Sequence, residues 1–299
     1  MDGIKKNQHY VWKKYLDPWS KNDCIWTFFK KSGKIDNPNL KRVTVERYFY
    51  RLNKFTSDEI IFLKKFIDAT SHNSVKKLNH DFLEMFTITS VLNMQNEKEI
   101  EINLMEDANC IIENLGNSLL ACRNITDIEK LVNQDGLYGA IMFICFQYFR
   151  TKNMKNSLLK EFNNDKHEAL VKKAWNIISY IVATNKTSDI IFDKNLKFTF
   201  IENNSEIKFI TGDQPVLNLI DDIKDKSGEV IGLELFYPIT PKHALIIHFR
   251  TDQINQFENQ IAEREKICYF NNKILENSDF FVFADNKEQL ENIKRMTEK

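Results

Sequence analysis

Lys197-Phe198-Thr199-Phe200-Ile201, with Ile207-Lys208-Phe209-Ile210 shortly after it, decides the fold class. Phe198 and Phe200 alternate with Lys197 and Thr199, the period of a strand with one buried face. Asn203-Asn204-Ser205 lies between the two runs and supplies turn chemistry, so the stretch predicts a hairpin. The alternation returns over residues 233–237 and 244–249, which are separated by Pro238 and Pro241, and over 280–283. Residues 24–52 also read as β. An apolar run from Cys24 to Phe29 precedes a Ser32-Gly33 turn, and Val43, Val45 and Phe49 alternate in part.

Between these regions the period changes to that of helices. Thr56 and Glu59 form a capping box before Ile60, Leu63 and Ile67. Residues 78–94 read as a second helix. Leu104, Ala108, Ile111, Ile112, Leu115 and Leu119 keep helical spacing and predict the inward face of a third. A short helix is expected over 127–132, a long buried one over 136–162, and another over 168–183 with Trp175, Ile178 and Val182 on one face. Helices are expected again over 253–275 and 287–297. The order predicts an α+β fold, a mostly antiparallel β-sheet with a helical middle section packed against it. Eight Gly and five Pro in 299 residues leave no room for long linkers. A single domain over 1–299 is therefore expected, with an N-terminal β segment about 1–55, a helical region about 56–186 and a β-rich region with helices about 187–299.

The chain carries 42 Lys and Arg against 42 Asp and Glu. Residues 1–55 hold 13 basic and 5 acidic residues, a net of +8, and residues 96–135 hold 3 and 9, a net of −6. This bipolar pattern is that of a molecule meeting an anionic partner such as a nucleic acid or nucleotide, or of two unlike solvated surfaces. Five cysteines, at 24, 110, 122, 145 and 268, form no CxxC pair. Reduced thiols and a cytoplasmic location are expected. No apolar leader opens the sequence and no run is long enough to span a bilayer, so no membrane partner is expected. The six histidines show no metal spacing, and no Gly-rich phosphate loop occurs. No metal and no cofactor are expected.

Candidate residues follow from local constraint. Asp213 sits between Gly212, read as a turn glycine, and Pro215, so its carboxylate is aimed. It serves either chemistry or an Asx-turn. Gln147, Arg150 and Thr151 share one face of an apolar helix, where an unpaired Arg is costly. Asp213 is the expected partner of Arg150. His9, in a basic and aromatic segment beside Tyr10, suits acid–base work or a backbone cap. Glu46 and Arg47 adjoin on a strand, so only one faces a shared site. Asn271 is placed to hydrogen-bond across to the strands.

The same residues carry a resemblance. Asn7-Gln8-His9-Tyr10-Val11-Trp12 with Tyr15-Leu16, Val45-Glu46-Arg47-Tyr48-Phe49-Tyr50, Phe146-Gln147 with Arg150-Thr151, Ile210-Thr211-Gly212-Asp213-Gln214-Pro215-Val216, Tyr237-Pro238-Ile239-Thr240-Pro241 and Asn271 occur in that order. Over nearly its whole length the chain resembles domain-of-unknown-function family 4238, seen mostly in bacteria. Family members usually have proline where Trp12 stands and serine where Gly212 stands, so the chain is similar to a subgroup with tryptophan there. The resemblance brings no activity with it. It adds weight to His9, Arg47, Gln147, Arg150 and Asp213 as a catalytic set and to Tyr10, Glu46, Thr151 and Asn271 as ligand contacts.

His and Arg converging from distant segments suit acid–base work on a phosphate, with Arg neutralising developing charge. The function expected is a metal-independent phosphodiesterase or nuclease-like, or nucleotide-acting, enzyme serving as a bacterial defence or toxin-type effector. The alternative is a non-catalytic module binding an anionic ligand, a nucleic acid or a protein partner. A blander alternative is a polar network that serves folding alone.

Overall fold

The computed structural model describes residues 4–92, 95–160, 165–192, 196–220, 232–249 and 256–297. The chain divides into two compact units that interleave along the sequence. One comprises Met1–Tyr10, Val45–Gly116 and Tyr138–Phe192; the other comprises Val11–Thr44, Asn117–Leu137 and Asp193–Lys299.

Helix dominates, and this corrects the expected mostly antiparallel sheet with a helical middle. Helices hold 56% of the described residues and strands 20%. The expectation failed for two reasons. Helix Asp165–Ile191 runs well beyond the 168–183 stretch read as helical, because its apolar residues are buried on several sides and blur the one-face period. The β reading of 24–52 shrinks to three short strands, Cys24–Phe29, Lys34–Asp36 and Val45–Arg47.

Other boundaries moved as well. The long helix expected over 136–162 is two helices, Leu137–Phe149 and Lys152–Lys160, broken at Arg150 and Thr151. Residues 207–210 form no strand, so the expected hairpin is absent. Helix Arg264–Asn277 bears out the second half of the helix expected over 253–275, and strand Phe257–Ala262 takes the place of much of its first half. The expected ends at 93–94, 161–162 and 253–255 lie outside the described residues.

In the helix-rich unit, Asp165–Ile191 packs against Ser57–Asp68 and Asn73–Val91. The capping box forms as read: the Thr56 hydroxyl accepts from Glu59 N at 3.3 Å, and the Glu59 carboxylate accepts from Thr56 N at 2.8 Å. Two buried amides between these helices, Asn79 and Asn185, are satisfied. Asn79 Nδ2 donates to Asn185 Oδ1 at 2.7 Å, the Thr184 hydroxyl donates to Asn79 Oδ1, and Asn185 Nδ2 donates to Phe66 O. Strand Asn7–His9 pairs antiparallel with Val45–Arg47, His9 opposite Val45.

The other unit holds two five-stranded sheets. The first runs in the order Phe257–Ala262, Lys197–Asn203, His243–Phe249, Leu233–Thr240, Leu217–Asn218. Its first pair is parallel and the rest are antiparallel. The second sheet joins the ends of the chain: Cys24–Phe29 pairs with Phe281–Ala284, which pairs with Thr211–Gly212. The core between them is aromatic, with Phe236 and Phe270 stacked at 4.3 Å and Phe209 against both. Trp19 Nε1 donates to Phe209 O at 2.8 Å, and the Tyr15 and Thr211 hydroxyls lie 2.6 Å apart.

Candidate functional site

Helix Glu97–Leu115 turns inward only part of the face its periodicity predicts. Ala108 and Ile112 are buried, but Ile111 and Leu115 are exposed at 66% and 41%. Glu101, Ile102, Met105 and Asn109 are buried beside them. This rotation brings Glu106, Asn109 and Glu113 onto one stripe, spaced three and then four residues apart.

Glu113 meets Arg150, which begins the break after helix Leu137–Phe149. Arg150 is 2% exposed. Its Nη1 donates to Glu113 Oε1 at 2.9 Å and its Nη2 to Gln147 Oε1 at 3.1 Å, while the guanidinium lies 4.9 Å from the Phe146 ring centroid. Gln147 and Arg150 thus form the paired arrangement their spacing implies. The acid that neutralises Arg150 is Glu113, not the expected Asp213. Arg150 Nε, Gln147 Nε2 and both amide atoms of Asn109 are buried without a hydrogen-bond partner. Each such group costs about 1–3 kcal/mol, and a buried ion pair adds its own desolvation cost. This costly polar cluster is the candidate site.

The N-terminal motif is held to Tyr50 and to helix Glu97–Leu115 through Gln8. Gln8 is fully buried; its Oε1 accepts from Tyr50 N at 2.7 Å and its Nε2 donates to Ile102 O at 3.0 Å. The Tyr50 hydroxyl donates to His9 O at 3.1 Å. Burial pushes the Tyr50 phenol up, against the opposing pull of Arg150. Tyr48 adopts a left-handed φ of 59°, which directs the chain out of strand Val45–Arg47.

Two carboxyls of the cluster differ in their surroundings. Burial raises Glu113, and Arg150 holds it back. Glu106 is pushed up to about 7, by burial first and then by the Glu113 charge, against the pull of Arg150 and Lys5. Glu106 is half-buried and no hydrogen bond to its carboxylate is made among the described residues.

The remaining candidate residues take separate places. Glu46 and Arg47 are both exposed; Glu46 pairs with Lys152 at 2.7 Å, and Arg47 lies 5.6 Å from the Tyr48 ring. Tyr10 packs on Phe49 at 5.3 Å with the Lys152 ammonium over its ring at 4.9 Å. The Thr151 hydroxyl accepts from Met154 N at 3.3 Å and caps helix Lys152–Lys160. In the other unit, the Asp213 carboxylate accepts from Asp279 N at 2.9 Å and Phe280 N at 2.8 Å. It therefore fastens the turn between helix Arg264–Asn277 and strand Phe281–Ala284. Burial raises Asp213 to about 6. Asn271 does reach the strand region: its Oδ1 accepts from Ile210 N and its Nδ2 donates to Lys208 O. Among the described residues, no group of three or more His, Cys, Asp and Glu is placed to hold a metal ion.

Across residues 7–288, a span containing every candidate from His9 to Asn271, the sequence matches the profile of the family described as Protein of unknown function (DUF4238). The chain belongs to this family. No curated protein and no solved structure matches it. In this DUF4238 member, Glu106, Asn109 and Glu113 are not among the residues singled out from the sequence, and Gln8 and Tyr50 enter there only within the family motifs. One signal was available: Glu106, Asn109 and Glu113 repeat at helical spacing, but the apolar stripe beside them looked complete.

Proposed function

We propose that this DUF4238 member is a hydrolase acting on a phosphodiester or nucleotide without a metal. The observation that carries the reading is the buried Arg150–Glu113–Gln147 cluster, which keeps two unpartnered donors, Arg150 Nε and Gln147 Nε2. Donors fixed in a dry site suit an oxygen that gains charge during reaction. His9, whose carbonyl accepts from the Tyr50 hydroxyl, brings a second side chain with acid–base chemistry near neutral pH. We further place the chain in a subgroup marked by Trp12, assign it to the cytoplasm, and read it as a bacterial defence or toxin-type effector.

The test is turnover of bis(p-nitrophenyl) phosphate, single-stranded DNA, RNA and nucleoside triphosphates by the full chain, with and without EDTA. Arg150→Gln is expected to lower turnover at least a hundredfold. Absence of turnover on all four substrates removes the enzyme reading. A non-catalytic module that binds an anionic ligand through the same donors is the alternative reading. Saturable nucleotide binding without product would establish that reading.

A further inference from the structure

The stripe on helix Glu97–Leu115 assigns different work to its two acids. Glu113 is spent on Arg150 at 2.9 Å. Glu106 lies two turns earlier on the same face, half-buried, and among the described residues no hydrogen bond fixes its carboxyl. Asn109, between them, is 2% exposed and has both amide atoms unpartnered. Burial first and then the Glu113 charge favour the protonated form of Glu106, while Arg150 favours the ionised form of Glu113.

We propose that Glu106 is the proton-transfer group of this site, with Glu113 as the positioning residue that fixes Arg150. The proposal rests on the hydrolase reading above. In the step, a water oxygen bonds to phosphorus and the bond from phosphorus to the leaving oxygen breaks. Glu106 gives its proton to that leaving oxygen, and a proton from the attacking water restores the Glu106 carboxylic acid. Arg150 Nε and Gln147 Nε2 donate to a non-bridging oxygen.

Among the described residues, the groups facing Glu106 come from four segments. Glu113, Asp107 and Cys110 share its helix, Arg150 follows helix Leu137–Phe149, Tyr50 lies in the segment after strand Val45–Arg47, and Lys5 comes from the N-terminal segment, where it pairs with Asp107 at 2.6 Å. Glu113 and Asp107 raise the Glu106 carboxyl; Arg150 and Lys5 lower it. The folded pKa is raised, to about 7, above an ordinary value of 4.5. The stability this group contributes is therefore fully present below about 4.5 and is lost as pH rises through about 7.

The experiment is a carbon-13 NMR titration of the glutamate carboxyls in the full chain. Glu106→Gln assigns the signal, and Glu113→Gln keeps side-chain volume while removing the neighbouring charge. Glu106 is expected to titrate near neutrality and to move toward the ordinary carboxylate range in Glu113→Gln, a shift that a merely structural Glu113 would not produce. The melting temperature of wild type relative to Glu106→Gln should fall as pH rises from 4.5 to 7. Glu106→Gln should lower bis(p-nitrophenyl) phosphate turnover about a hundredfold or more and remove the loss of rate that deprotonating Glu106 causes at high pH. Titration of Glu106 near 4.5 overturns the proposal and leaves the hydrolase reading standing on another acid. Titration near neutrality with no turnover in wild type overturns the hydrolase reading and the transfer step with it.

Discussion

Gly212 shows how a residue can be correctly singled out for the wrong reason. Its neighbours suggest a turn that needs a left-handed backbone. In the structure it lies in strand Thr211–Gly212 and its φ is outside the left-handed region. What demands glycine is space: a Cβ there would lie 2.0 Å from Ser278 Oγ, 3.1 Å from Ser278 Cβ and 3.0 Å from Phe281 O. Ser278 therefore fills the volume that the serine usual at this position in family members would need. Gly212→Ser is expected to destabilise by about 2 kcal/mol through overpacking. Ser278→Gly alone should cost about 1 kcal/mol for its hydroxyl bond to Ile274 O. The double variant should be less destabilised than the sum by at least ~1 kcal/mol in urea unfolding. Strict additivity would show that the two side chains do not compete for one volume. The partner at position 278 could not be read from the sequence, since the pairing of Thr211–Gly212 with Phe281–Ala284 that brings it close joins distant parts of the chain.

At the scale of elements, the sequence is most legible where the local signal is complete. The capping box at Thr56 and the terminal helix Lys287–Thr297 form as their residues indicate. Helix Glu97–Leu115 was legible as a helix but not in its rotation. Apolar periodicity assigns the inward face only when the opposite face is fully polar, and here Ile111 competes with Ile112. The buried polar stripe won because Arg150 and the Gln8–Tyr50 clamp sit on that side, and both lie far away in sequence. Asn109 follows from this as a stability cost retained for the site. Asn109→Leu, of similar size, should raise the unfolding free energy by about 1–2 kcal/mol, since it removes two unpartnered buried groups, and should lower binding or turnover. A loss of stability on this substitution would mean that the Asn109 amide is satisfied within the fold.

At the scale of the molecule, part of the bipolar charge pattern of the sequence is taken up by ion pairs within one unit. Lys5 pairs with Asp107, Arg51 with Glu101 and Lys54 with Glu97. Each pair joins the basic N-terminal segment to the acidic stretch that begins at residue 96, within one unit. Lys13 and Lys34 also have acidic partners, Asp23 and Asp36. Charge asymmetry along a chain is a statement about partners only while the oppositely charged segments stay apart, and here the fold brings them together. Exposed pairs of this kind contribute little to stability, but they leave fewer cations to displace counterions from a nucleic acid. Nonspecific binding of double-stranded DNA should therefore be weak and show a shallow salt dependence. The slope of log K against log salt between 50 and 200 mM should be smaller in magnitude than about 3, because few phosphates would be neutralised. Lys5→Ala, Arg51→Ala and Lys54→Ala together should leave that slope nearly unchanged. A slope steeper than about −5 that those substitutions flatten would show instead that the three cations face phosphates, and would restore the N-terminal segment as a nucleic-acid surface.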